Sequence, residues 1–178
     1  CSGAYLKIRD KCDLLVVPVF NSRPYYQAYI ITNKSSSIEN FNDLKGRFFA
    51  FTDPLSNTGK LYPEKRIKEL FNTDSHNFFS KTTYTNSHDA SIELVEKGLV
   101  DGASIDGLIY EFMLKNSPEK VKNIKIIEKS EYFGSPPVVV SKNISKSLKF
   151  NLKNTFLNMH NDTAGKRILQ NLMIDKFI

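Results

Sequence analysis

The stretch GRFFAFTDPLSNTG, residues 46–59, decides the reading of this chain. Residues 46–51 are a glycine followed by an apolar and aromatic run too short for a helix, which predicts a short buried strand. Thr52, Asp53, Ser56, Asn57, Thr58 and Gly59 follow at once, and a helix-like segment comes after them. A strand that feeds a hydroxyl-rich turn into a helix start suits an oxyanion. The first amides of a helix lack intrahelical partners, the helix dipole favours negative charge, and short hydroxyls add neutral donors. The same residue types also make an ordinary N-cap. Thr52, Ser56, Asn57 and Thr58 crowd four small polar side chains into seven positions, and that density favours a ligand.

The chain has 178 residues, 40% of them hydrophobic and 25% charged, enough for one substantial domain or two lobes sharing a sheet. No stretch approaches the roughly 20 apolar residues of a membrane span. The net charge of +6 admits anionic partners. The lysines are scattered, however, with acids between them, as at Lys60, Lys65, Lys97 and Lys120. That pattern is a solvated surface, so nucleic acid is not expected as a partner. The two cysteines, Cys1 and Cys12, offer no disulfide framework and no metal spacing, and no metal or cofactor is expected. Cys1 at the terminus fits a lipidated protein. The turn entering a helix at residues 1–5 fits a chain cut from something longer, and we prefer that reading.

Outward from the central stretch, residues 2–10 read as a short helix, 14–20 as a buried strand, and 25–33 as a long strand of β-branched and aromatic residues. Phe41, Leu44 and Gly46 suggest a short helix closed by its C′ glycine. Pro63 opens a helix whose inner face carries Ile67, Leu70 and Phe71. A strand over 82–85 leads to a helix capped by Ser87, with Asp89 in its first turn, Leu94 and Val95 inward, and Gly98 as terminator. Residues 100–105 form a strand and 107–115 a helix. Strands at 124–128 and 138–141 follow, and an amphipathic helical segment runs from Ser147 to the end. Strands alternating with helices predict a parallel α/β fold.

DPxSxTG after a strand, SHDA at 87–90 and GLVDGASID at 98–106 together carry a resemblance, joined by SPPVVV at 135–140 and the closing Asp162, Gly165, Ile168 and Leu169. The chain resembles the PhnD-like family, periplasmic substrate-binding proteins of ABC transporters for phosphonate, phosphite and phosphate. The resemblance spans essentially the whole chain. It implies a type II periplasmic-binding-protein-like fold, with two α/β lobes joined by crossing hinge strands at residues 25–33 and 129–137. Residues 34–128 would form a complete second lobe. Residues 1–33 and 129–178 would belong to a first lobe that lacks its N-terminal part, since family members carry a further half-lobe before Cys1. Such a half-lobe would leave Val16, Val17, Val138 and Val139 uncovered, and either self-association of the chain or dependence on a companion chain segment is expected from that. The family also implies a periplasmic or extracytoplasmic place, a permease as partner, and closure of the lobes on a ligand, while the lipidated reading of Cys1 leaves membrane anchoring of the intact protein open.

Carried over residue by residue, the resemblance puts the oxyanion on Ser56, Asn57 and Thr58, with Thr52 beside them. His88 takes the family's histidine position at the start of a helix, as a charge-assisted donor titrating near its ordinary pKa of ~6.5. Asp106 ends a strand at the carboxyl edge of the sheet, where open α/β sheets bind ligands. It would meet an amine or a protonated oxyanion, or simply cap the next helix. Tyr5, with Ser2 and Gly3, falls where the first lobe contributes its own helix start. Asp101 reads as a structural turn acid. Two other functions fit parts of this pattern. One is a ligand-binding sensor domain of a signalling protein. The other is a small hydrolase using Ser56 and His88, against which stand the missing G-x-S-x-G elbow and the unrelated contexts of His76, His88 and His160. An enzyme is not expected.

Overall fold

The computed structural model describes residues 2–178, so the reading of Cys1 lies outside it. The chain divides into two compact units, one made of the residues up to Tyr26 and from Phe133 onward, the other of Gln27–Tyr132. The first unit opens with α1 (Ser2–Ile8), β1 (Cys12–Val16), β2 (Pro18–Val19) and β3 (Tyr25–Tyr26). The second unit holds β4 (Ala28–Asn33), β5 (Phe48–Phe51), α2 (Tyr62–Phe71), α3 (Ser75–Phe78), β6 (Lys81–Tyr84), α4 (His88–Glu96), β7 (Gly102–Asp106), α5 (Gly107–Asn116) and β8 (Ile124–Lys129). The chain then completes the first unit with β9 (Phe133–Gly134), β10 (Val138–Ser141), α6 (Lys146–Asn158), α7 (Thr163–Asn171) and β11 (Lys176–Phe177).

The second unit is built on a five-stranded sheet in the order β6-β5-β7-β4-β8. Strands β6, β5 and β7 are parallel, as βαβ connections require. Strand β4 runs antiparallel to both of its neighbours, β7 and β8, so the sheet is mixed and the all-parallel expectation is corrected. The residues of β4 could not reveal this. A central strand buried on both faces is a continuous apolar run whichever way it points. Ile30 and Ile31 are fully buried there. One core includes Tyr29, Ile31, Ile92, Val95, Ala103 and Ile105. Elsewhere in the unit the rings of Phe49 and Phe79 stack with centroids 4.3 Å apart.

Two long strands expected from composition are interrupted. The run at 25–33 breaks at Gln27, where the chain passes from one unit to the other. The run at 14–20 breaks at Val17, because β1 pairs with β10 while β2 pairs with β11. Leu70 is exposed, contrary to expectation. The inward stripe of α2 is Pro63 and Ile67, with Phe71 against Phe78, and Leu70 falls on its flank. The C-terminal segment is two helices and a short strand. Its helices correct the expectation of bare valines: Val16 is fully buried in a cluster with Leu15, Leu169 and Phe177, and Val138 packs against it. Val17 and Val139 are half-buried.

Candidate functional site

Parallel β6, β5 and β7 end at one edge of the second unit's sheet, and the predicted ligand residues other than Tyr5 sit where those strands stop. Thr52 follows β5, His88 opens α4 after β6, and Asp106 is the last residue of β7. Thr85 and Ser87 shape the start of α4: Ser87 accepts the Ala90 amide, and the Thr85 hydroxyl bonds the Ser87 carbonyl at 2.8 Å and the Ser91 hydroxyl at 2.7 Å. Asp106 caps α5 by accepting the Leu108 amide at 2.8 Å. The capping role weighed for it from sequence is therefore present.

Between β5 and α2 the chain makes a π-helical turn, Asn57–Leu61, with Ser56 as its N-cap. Ser56 Oγ accepts the Gly59 amide at 3.0 Å, and the Gly59 carbonyl accepts the Thr52 amide at 3.2 Å, so the loop closes on itself. Ser56 and Thr58 are buried, and Asn57 is half-buried. Pro63 stands in the first turn of α2, where a missing N–H costs nothing. The turn's own cation, Lys60, is tied down: its Nζ lies 2.7 Å from Glu64 Oε1 and 3.8 Å from the centroid of the Phe51 ring.

Three of the predicted residues meet directly. His88 Nδ1 lies 3.1 Å from Thr52 Oγ1 and accepts the Asp106 backbone amide at 3.0 Å. Burial pushes the His88 imidazole down to about 4, against the opposing pull of Asp53 and Asp89. The expectation of a histidine titrating near 6.5 is therefore corrected, because desolvation outweighs its acidic neighbours. Burial likewise raises the Asp106 carboxyl to about 6, against the amides of Leu108 and Ile109. Tyr5 lies on α1, in the first unit. Asp101 is structural, accepting the Phe48 amide at 2.8 Å.

Sequence reasoning missed Ser104. It is fully buried in the middle of β7, and its hydroxyl donates to the carbonyl of Thr58, holding the turn against the sheet. A serine inside an otherwise apolar strand is the signal that could have found it, since a buried hydroxyl must have a partner. Ser56 and His88 do not form a nucleophile–base pair among the described residues. The serine oxygen holds the Gly59 amide, and the histidine nitrogen facing the loop is taken by Asp106 and Thr52.

The chain is 31% identical to the phosphonates-binding periplasmic protein of Escherichia coli K12, over 84% of this chain and 45% of that protein. It superposes on a binding-protein component of an ABC phosphonate transporter from Pseudomonas aeruginosa with a TM-score of 0.89 at 27% identity, covering 99% of this chain and 60% of that one. PhnD1 of Prochlorococcus marinus, solved with methylphosphonate, matches in fold with a TM-score of 0.84 at 22% identity, over 99% of this chain and 69% of that one. The chain thus spans about half the length of the curated Escherichia coli relative. The fold is that of the type II periplasmic binding proteins. A profile described as "ABC transporter, phosphonate, periplasmic substrate-binding protein" matches residues 1–178. These are substrate-binding transport proteins, not enzymes, and the chain belongs to that family.

Proposed function

We propose that this chain is the anion-gripping part of an extracytoplasmic substrate-binding protein that captures a phosphonate, phosphite or phosphate and delivers it to an ABC-transporter permease. The observation that carries the reading is the convergence at one sheet edge of the Ser56–Thr58 turn, His88 and Asp106. Ser56, Asn57 and Thr58 supply amide and hydroxyl donors at low dielectric, where a hydrogen bond to an anion is strong. Asp106 accepts from a protonated oxygen or an ammonium of the ligand. Tyr5 is the first unit's residue that the family resemblance assigns to the ligand. The relatives named for phosphonates support the ligand class. Membrane anchoring of the intact protein belongs to the same proposal, and cell fractionation tests it.

Titration calorimetry of the full-length protein against phosphate, phosphite, methylphosphonate and 2-aminoethylphosphonate is the test. At least one should bind, and Ser56→Ala with Thr58→Ala should weaken it by about one to two decades, the scale of a lost donor to a charged group. Unchanged binding by the double variant would place the anion elsewhere.

A further inference from the structure

We propose that His88 serves the anion site as a neutral donor through Nε2–H, held in that tautomer by the Asp106 amide and the Thr52 hydroxyl, and that Thr52 is a positioning residue and not a ligand of the anion. The inference rests on the proposed function for its ligand but on hydrogen-bond geometry for its chemistry. A backbone amide can only donate. Asp106 N–H points at His88 Nδ1 from 3.0 Å, so Nδ1 is the accepting nitrogen and the ring proton is on Nε2. Thr52 Oγ1, 3.1 Å from the same nitrogen, can only be a donor in that contact. The Ser104 carbonyl at 3.4 Å competes for the same single hydroxyl proton, and the shorter contact is the one to His88.

Thr52 is fixed on every side. It is 2% exposed, its amide donates to the Gly59 carbonyl at 3.2 Å, and its carbonyl accepts the Asn86 amide at 2.8 Å. A hydroxyl so enclosed orients the imidazole and has no freedom to turn to a ligand. Among the described residues, the charged groups that face His88 are Asp53 on the loop after β5 and Asp89 on its own helix, both favouring a proton. Asp106, at the end of β7, turns a carboxylate oxygen to the Leu108 amide. A second ring proton would have to enter at Nδ1 and break the Asp106 bond. The acids therefore do not convert His88 to an imidazolium, and the affinity of the site follows the ionisation of the ligand and not that of the histidine.

The experiment is a long-range proton–nitrogen NMR spectrum of the full chain labelled with 15N-histidine, recorded from pH 8 to pH 5 with and without methylphosphonate. His88 should show the Nε2–H pattern throughout. An Nδ1–H pattern, or an imidazolium at pH 6, overturns the proposal. Thr52→Ser should keep the Nδ1 resonance and the methylphosphonate affinity. Thr52→Val, close in shape, should move that resonance and weaken binding about tenfold, the scale of one lost hydrogen bond. Loss of affinity with an unmoved resonance would make Thr52 a direct ligand and sink the positioning role. No binding of any phosphorus oxyanion refutes the proposed function and with it the donor role of His88, while the ligand-free spectrum still decides the tautomer and the part Thr52 plays in setting it.

Discussion

Gly59 and Thr52 touch so closely that a Cβ placed on the glycine would lie 2.2 Å from Thr52 Oγ1 and 2.5 Å from its Cβ. The glycine is there because the turn must pass over Thr52, which in turn meets His88. Gly59→Ala should therefore displace the Thr52 side chain or the turn, destabilising the protein by ~1–3 kcal/mol, as overpacking does. Urea denaturation reads that loss, and calorimetry with methylphosphonate should show weakened binding. Gly134→Ala is the control. Nothing lies within 4 Å of its Cβ position, so its urea midpoint should stay put.

Ser104→Ala removes the donor to the Thr58 carbonyl and leaves that buried acceptor without its partner. Such orphans cost ~1–3 kcal/mol. The oxyanion affinity should fall as well, although Ser104 sits fully buried within β7, because the turn is no longer held to the sheet. A variant that loses stability and keeps full affinity would show that the turn holds its shape without this bond.

Much of this site was legible because caps are local. Ser87, Asp89 and Gly98 announce the limits of α4 through short-range hydrogen bonding and a positive φ of 66° at Gly98. Asp106 at the end of an apolar run is legible for the same reason. What was not legible depends on residues far apart in sequence. The Ser104–Thr58 bond joins positions 46 apart, and the Asp106–His88 bond joins positions 18 apart. Those two contacts decide how the turn is held and which nitrogen of His88 carries its proton, and no local pattern encodes them. The direction of β4 was hidden for a related reason, since burial on both faces erases alternation. The π-helical turn also escaped, because Pro63 marks only the first turn of α2 and is silent about the residues before it.

Glu128 ties α2 to the edge strand β8. It accepts both nitrogens of the Arg66 fork at 2.9 Å and the Tyr62 hydroxyl at 2.5 Å. The side chains of Arg66 and Glu128 are only 27% and 20% exposed, so solvent screens this pair less than a surface one. Glu128→Gln should cost ~1–2 kcal/mol through the lost charge-assisted bonds. Arg66→Lys should not rescue it, since an ammonium cannot make the paired contact. The neighbouring Lys65–Glu131 pair is half-exposed, and Lys65→Ala should leave the urea midpoint unchanged.

His88 and Asp106 should give opposite slopes of stability against pH. His88 falls from an ordinary 6.5 to about 4 on folding. Between those values the unfolded chain holds more protons, so this contribution is lost as pH falls from 6.5 towards 4. Asp106 rises from 3.8 to about 6. In that window the folded chain holds the extra proton, so acidification from pH 6 towards 3.8 adds stability, and raising the pH through 6 removes it. Each slope approaches about 1.4 kcal/mol per pH unit at its steepest, and the two oppose each other between about pH 4 and 6. Relative to the parent, His88→Gln should gain stability on acidification across that range. Asp106→Asn, which keeps a capping side chain, should lose it. The difference from the parent is the quantity to read, since Asp89 and Glu131, both lowered on folding, add their own losses at lower pH. Urea midpoints measured every half unit from pH 4 to 7 suffice. Parallel curves for the three proteins would mean that neither group is shifted in the direction its burial demands.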